Sequence, residues 1–249
     1  MLFRSTLDAR THQINLPNTG NVMGAISIQT ANGTPTSVAI TENNPITQGS
    51  AWVLPSVPVT LVAENGHSIT LTTATNVMGN LTVTGGVVSI TENGPITQGG
   101  AWSTTGTTTL DPTTSAITLT NANNVLGPIA IGGTPSTVSI TEAADITQAS
   151  AWVEPSTPFT LNSGTSDIVL SETDNQLGAL TLTGQNATVV ENNSAGIVAG
   201  AAWNIPGTTT LTAGSANPII LETTPASNLG TVNIQSASYA DIYVAGGVN

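Results

Sequence analysis

The sequence predicts an all-β protein, a parallel β-helix (β-solenoid) of about nine coils in four repeats of about 50 residues. Three observations carry that expectation: a fixed internal period, apolar alternation over short runs, and regular punctuation by Gly, Asn and Pro. The period is plainest at tryptophan. Trp52, Trp102, Trp152 and Trp203 each close one phrase: SVAITENNPITQGSAW (37–52), VVSITENGPITQGGAW (87–102), TVSITEAADITQASAW (137–152) and ATVVENNSAGIVAGAAW (187–203). A period of this length means one structural unit copied and stacked, with a core that no copy can bury alone.

Within each period the alternation signals strand. In SAITLTNANNVLGPIAIGG (115–133), Ile117 and Leu119 point one way and Thr118 and Thr120 the other. Asn124-Val-Leu-Gly127 then turns the chain, and Ile129 and Ile131 point inward again. Matching segments stand at 12–30, 67–85, 166–184 and 217–235, and read as short coils. Longer ones lie between them, each opening on the Val-x-Ile-Thr-Glu phrase or its variant and ending in an alternating run such as 58–61 or 107–110. A four-bladed propeller is the rival architecture, since blades of about 50 residues exist. Its strands would need to run from rim to channel, and these runs are too short. The expected organisation is a leader or interface segment at 1–13, the solenoid at 14–235 and a strand or tail at 236–249.

Composition narrows the function classes. Charged residues are 6% of the chain, against roughly 25% in ordinary globular proteins. Lysine is absent, Arg4 and Arg10 are the only arginines, and the formal net charge is −12. Nucleic acid and anionic lipid are therefore poor partners, because both need clustered Lys and Arg. Cysteine is absent, so no redox compartment is implied. No apolar run approaches the length of a membrane span, and the opening residues carry no signal-peptide core.

Four sets of recurring residues are candidate sites. The tryptophans have two readings: packing at a corner of each long coil, which is favoured, or a row of aromatic platforms for sugar rings. Glu42, Glu92, Glu142 and Glu191 recur with the same period. A carboxylate ladder can hold Ca²⁺, but one carboxylate per repeat is too few for its six to eight oxygens, so solvated strand ends are expected and no cofactor. Asn21, Asn76, Asn124 and Asn175 each stand three residues before a glycine, with the motif slipped to Asn228-Leu229-Gly230 in the last copy. They read as corners, with Asn in left-handed backbone and Gly at positive φ. His12 and His67 read as surface residues, too far apart to chelate one zinc.

Catalysis is not expected. Asp145, Glu154, Glu172 and Asp174 are acid–base candidates only by default, with no motif behind them. Thr-rich runs raise ice binding, but in this coil scheme the threonine ladder is interrupted at 58–60 and 158–160. At the two ends, Arg4 and Arg10 are candidates to pair with Asp241 and Glu222 of a next copy stacked head to tail, a filament contact.

The phrases VSITENGPITQGG, TTGTTTL, SAITLTNANNVLG and NLTVTGGVV resemble the degenerate repeats of filamentous-haemagglutinin-type adhesins. Those are large exoproteins of Gram-negative bacteria, often secreted by the two-partner route. The resemblance runs from about Ile14 to Ile234. It implies a right-handed parallel β-helix shaft outside the cell, with no catalytic residues and no defined pocket. The amino-terminal secretion domain and an outer-membrane translocator are missing from this sequence, so a shaft fragment or a stand-alone protein of that design is expected. The functional expectation is a surface-exposed structural solenoid, an adhesin shaft or extracellular fibre subunit. The alternative is a glycan- or host-binding module acting through the tryptophans or the long-coil loops.

Overall fold

A computed structural model describes residues 4–245. The chain forms two compact units, 1–127 with 131–135, and 128–130 with 136–249. Each is a parallel β-solenoid, and the described residues make about 11 turns with almost no helix.

Three sides build a turn. In the first unit the chain runs through Val59–Ala63, Ile69–Leu71 and Val77–Met78. Leu81–Gly85 then returns to lie on Val59–Ala63, with Leu81 beside Val59 and Val83 beside Leu61. In the second unit the same circuit passes Phe159–Asn162, Ile168–Leu170 and Gln176–Leu177, and Leu180–Thr183 closes it on Phe159–Asn162. All these pairings are parallel, which a chain achieves without a crossover helix only by going round a solenoid.

Alternation places the core. Val38–Glu42 and Val59–Ala63 bury every second residue, so Ile40, Leu61 and Val83 stack as one inward ladder. Ile140, Leu161 and Leu182 form its counterpart in the second unit. Each such side chain is fully or almost fully buried and contributes roughly 1.5–3 kcal/mol. Two threonines that enter the interior are paired: Thr104 and Thr108 share a hydroxyl hydrogen bond of 2.7 Å, and Gly127 N–H donates to Thr104 Oγ1 at 2.9 Å.

The turn is shorter than the expected coil. Paired residues are 21 and 22 apart from Val38 through Val59 to Leu81, and 19 and 20 apart from Ile69 through Val88 to Thr108. The second unit keeps 21 from Val138 through Phe159 to Leu180. A repeat of 50 residues is therefore two turns plus one side, not one short and one long coil. The phrase strand Val38–Glu42 accordingly lies with Ile14–Leu16 and Val59–Ala63, whereas its copy Val88–Thr91 lies on the next side, with Ile69–Leu71 and Thr108–Asp111. Val138–Thr141 and Ala187–Val190 are offset in the same way in the second unit.

Regular pairing extends beyond 14–235. Arg4–Leu7 lies in register on Ala25–Ile28, and Ala240–Ile242 lies on Ile219–Leu221. The expected leader and tail thus contribute strands from Arg4 and up to Ile242; residues 1–3 and 246–249 of those segments lie outside the described residues.

Candidate functional site

The recurring residues meet in buried clusters, one for each tryptophan, each built at a corner of the turn. Trp52, Trp102, Trp152 and Trp203 are at most 1% exposed. Each indole N–H donates to a carbonyl of the preceding turn: Ile26 (3.2 Å), Leu81 (2.9 Å), Ile129 (3.1 Å) and Leu180 (2.8 Å). Trp152 also stacks on Phe159, with ring centroids 5.3 Å apart. No ring face is free for a sugar. Nor do they form one row: in the first unit the segment after Trp52 pairs with Val77–Met78, while that after Trp102 pairs with Thr84–Gly85 on a different side.

The asparagines hold these tryptophans in place. Asn76, Asn124 and Asn175 are fully buried. Asn76 Oδ1 accepts the Trp52 backbone N–H at 2.9 Å and an amide hydrogen of Gln48. Its Nδ2 donates to Leu71 O (3.2 Å) within its own corner and to Thr91 O (3.0 Å) on the following turn. Asn175 repeats the pattern with Trp152, Gln148, Leu170 and Val190. Asn124 does so with Trp102, Gln98 and Leu119. One carboxamide thus joins consecutive turns, accepting on its oxygen and donating from its NH2 at the same time.

The left-handed backbone expected at these asparagines is not there. Among the described residues, positive φ outside glycine falls at Arg10, Ser56, Asn65 and Thr113. Gly79, Gly127 and Gly178 do not have positive φ either. They are glycine because the turn below passes too close: a Cβ would collide with Val57 O, Gly106 O and Thr157 O respectively. In the last copy Ser227, not Asn228, occupies the corner. It is fully buried, and its Oγ accepts the Trp203 N–H at 3.0 Å.

The phrase glutamates are corrected more sharply. Glu42, Glu92, Glu142 and Glu191 are at most 3% exposed, not solvated strand ends. Glu42 Oε2 accepts Met23 N–H and Glu92 Oε2 accepts Met78 N–H, each at 3.2 Å. Both oxygens of Glu191 accept Leu177 N–H, at 3.1 and 3.0 Å. Alternation explains the inward turn: in Val38–Glu42 the buried residues are Val38, Ile40 and Glu42. Burial disfavours the charged form, raising Glu42, pushing Glu92 up to about 8 and Glu191 up to about 7.

The other candidates do not assemble into a centre. Glu154 is buried beside Leu177 by strand register, and burial raises its carboxyl too. Asp145, Glu172 and Asp174 are exposed. His12 is exposed and His67 half-buried, and among the described residues no group of three or more His, Cys, Asp or Glu could hold a metal. Arg4 and Arg10 are exposed in the first turn; Glu222 and Asp241 are exposed in the last, the latter between the exposed Tyr239 and Tyr243. A surface depression of about 560 Å³ lies between Pro55–Pro58, Val77–Asn80 and Pro95 to Thr97, and no charged side chain lines it. No helix among the described residues is long and apolar enough to cross a membrane.

Gln48, Gln98 and Gln148 are the members of these clusters that the reading of the sequence passed over. The signal was present. The fourth phrase has Ala199 at the glutamine position, and the corner that serves it has Ser227 in place of asparagine. Both amides are lost together because each is the other's partner.

Comparison with known proteins adds one likeness. Residues 66–132 and 125–183 match a family described as repeats of unknown function (DUF5649). No curated protein and no solved structure matches the chain. The repeat character is thus shared with a family, and the filamentous-haemagglutinin resemblance finds no specific support.

Proposed function

We propose that this chain is a structural shaft, a surface-exposed β-solenoid that spaces or joins other parts outside a Gram-negative cell, as an adhesin shaft or a fibre subunit. The carrying observation is where the repeated chemistry goes. Tryptophan, asparagine, glutamine and glutamate recur in every phrase or nearly so; the tryptophans, the glutamates and Asn76, Asn124 and Asn175 are buried, and the half-buried Gln48, Gln98 and Gln148 bond to those asparagines. A binding or catalytic module keeps its recurring polar and aromatic groups at a surface or cleft. Here they fasten turn to turn, and solenoid stability then sums over neighbouring turns.

Two measurements test this reading. A glycan array probed with the intact chain is expected to give no specific signal, since the indoles are covered. Electron microscopy over a concentration series is expected to show end-to-end assembly if the chain is a fibre subunit, with Arg4 and Arg10 meeting Asp241 and Glu222 of the next copy. Replacing both arginines with glutamine then weakens assembly. A saturable glycan signal, lost on altering the depression at Pro58 and Asn80, would overturn the structural reading in favour of a binding module.

A further inference from the structure

Buried glutamates in this chain lack what usually accompanies a buried carboxylate. Ionised groups taken out of water need an opposite charge and a full set of hydrogen bonds. The two arginines are exposed and lie within the first ten residues, and there is no lysine. Glu42 Oε1 and Glu92 Oε1 are buried without a partner among the described residues.

The groups facing each carboxyl are neutral or acidic. Glu42 lies beside Ala63 by register, with Glu64 next along that strand's exit, and accepts only Met23 N–H from the turn on its other side. Glu92 donates its own N–H to Asp111 O, so the nearest titratable residue on the following turn is Asp111; Met78 faces it from the preceding one. Glu191 is held by Leu177 and Asn193 N–H, with Glu172 and Asp174 leading into the Asn175 corner below and Thr212 above. None of these neighbours is a cation, and burial is what holds the carboxyls in the uncharged form.

We propose that the solenoid is an acid-stabilised scaffold with an alkaline release: Glu42, Glu92 and Glu191 are carried uncharged inside the stack, and ionising them loosens the turns that they join. The proposal goes beyond the shaft reading and stands whether or not the chain forms fibres. Its geometric basis is the repeated position of the carboxyl, under the backbone N–H of a corner whose Asn also bonds the residue before the glutamate. A charge there acts on the same corner that fixes the tryptophan.

The sign follows from linkage. These carboxyls have folded-state pKa values above the unfolded value, so their stabilising contribution is complete below about 4.5. It is lost as pH rises through about 7 for Glu191 and about 8 for Glu92. Exposed carboxylates have finished ionising by about pH 6 and tyrosines begin near 10, which leaves a clean window between them. His12 and His67 are both replaced by asparagine in the test background, so that no imidazole contributes to the profile.

The test is thermal unfolding of the full chain, followed by circular dichroism and tryptophan emission, between about pH 6 and pH 9. The expected result is a fall in Tm of about 5 °C or more across that window. In the triple variant E42Q/E92Q/E191Q most of that pH dependence disappears. A flat Tm in the parent, or an equally steep fall in the triple variant, overturns the proposal. If the triple variant does not fold, infrared spectroscopy of the parent decides. A protonated-carboxyl stretch persisting slightly above pH 6 and vanishing by about pH 9 supports the proposal; its absence at the lower pH overturns it.

Discussion

Two corners of the second unit do the same job with different means. At Asn175 one carboxamide faces five partner atoms: Oδ1 accepts from Gln148 and Trp152, and the two Nδ2 hydrogens are shared among Gln148 Oε1, Leu170 O and, across the turn, Val190 O. At Ser227 a hydroxyl accepts the Trp203 N–H and meets Thr223 Oγ1 at 3.5 Å. The tryptophan is equally buried in both. What the serine corner lacks is a side chain that reaches forward: it is joined to the turn beyond by backbone, Ser227 N–H donating to Tyr243 O and Ala245 N–H to Ser227 O, and that turn carries no Thr-Glu phrase. Seating the tryptophan therefore needs one acceptor. Adding a side-chain bond to the next turn is what needs asparagine.

The hardest blow to this comparison is to empty the corner itself. Trp152→Ala, which also removes the stack on Phe159, is expected to cost about 3–5 kcal/mol in denaturant unfolding. Next comes the amide: Asn175→Ala orphans the Trp152 N–H and the carbonyls of Leu170 and Val190, and about 2–3 kcal/mol is expected. Ser227→Ala leaves one N–H without its acceptor and is expected to cost about 1 kcal/mol. Equal losses for these two variants would mean that the forward bond to Val190 carries nothing. The smallest effect sharpens the point. Introducing Gln at Ala199 together with Asn at Ser227 is expected to gain about 1 kcal/mol, and each substitution alone nothing or a loss, a coupling that a double-mutant cycle reads directly.

Much of this was legible in the sequence. The strand alternation of SAITLTNANNVLG and the spacing of the four tryptophans lead to a parallel solenoid, because both are nearest-neighbour properties of one repeat. The turn count was not legible, since a period of 50 residues invites division into whole coils. Only the register, Val38 beside Val59 but Val88 beside Ile69, shows the extra side. The glutamates were misread for a related reason. Their residue type suggests solvent while their place in the alternation, two beyond Ile40 or Ile90, puts them inside, and position prevailed. Asparagine and glycine were given turn roles that their backbone angles do not support; the cause was a contact with another turn, which no local pattern displays.

The extra side has a consequence for how such a chain grows. Because each copy advances two turns and one of three sides, inserting a single copy leaves the packing rules intact but rotates whatever follows by about a third of a circle. Three copies, seven turns, restore the original facing. Gene duplication acting on this repeat is therefore a ratchet in angle as well as in length, and anything carried further along the chain is aimed by the copy number modulo three.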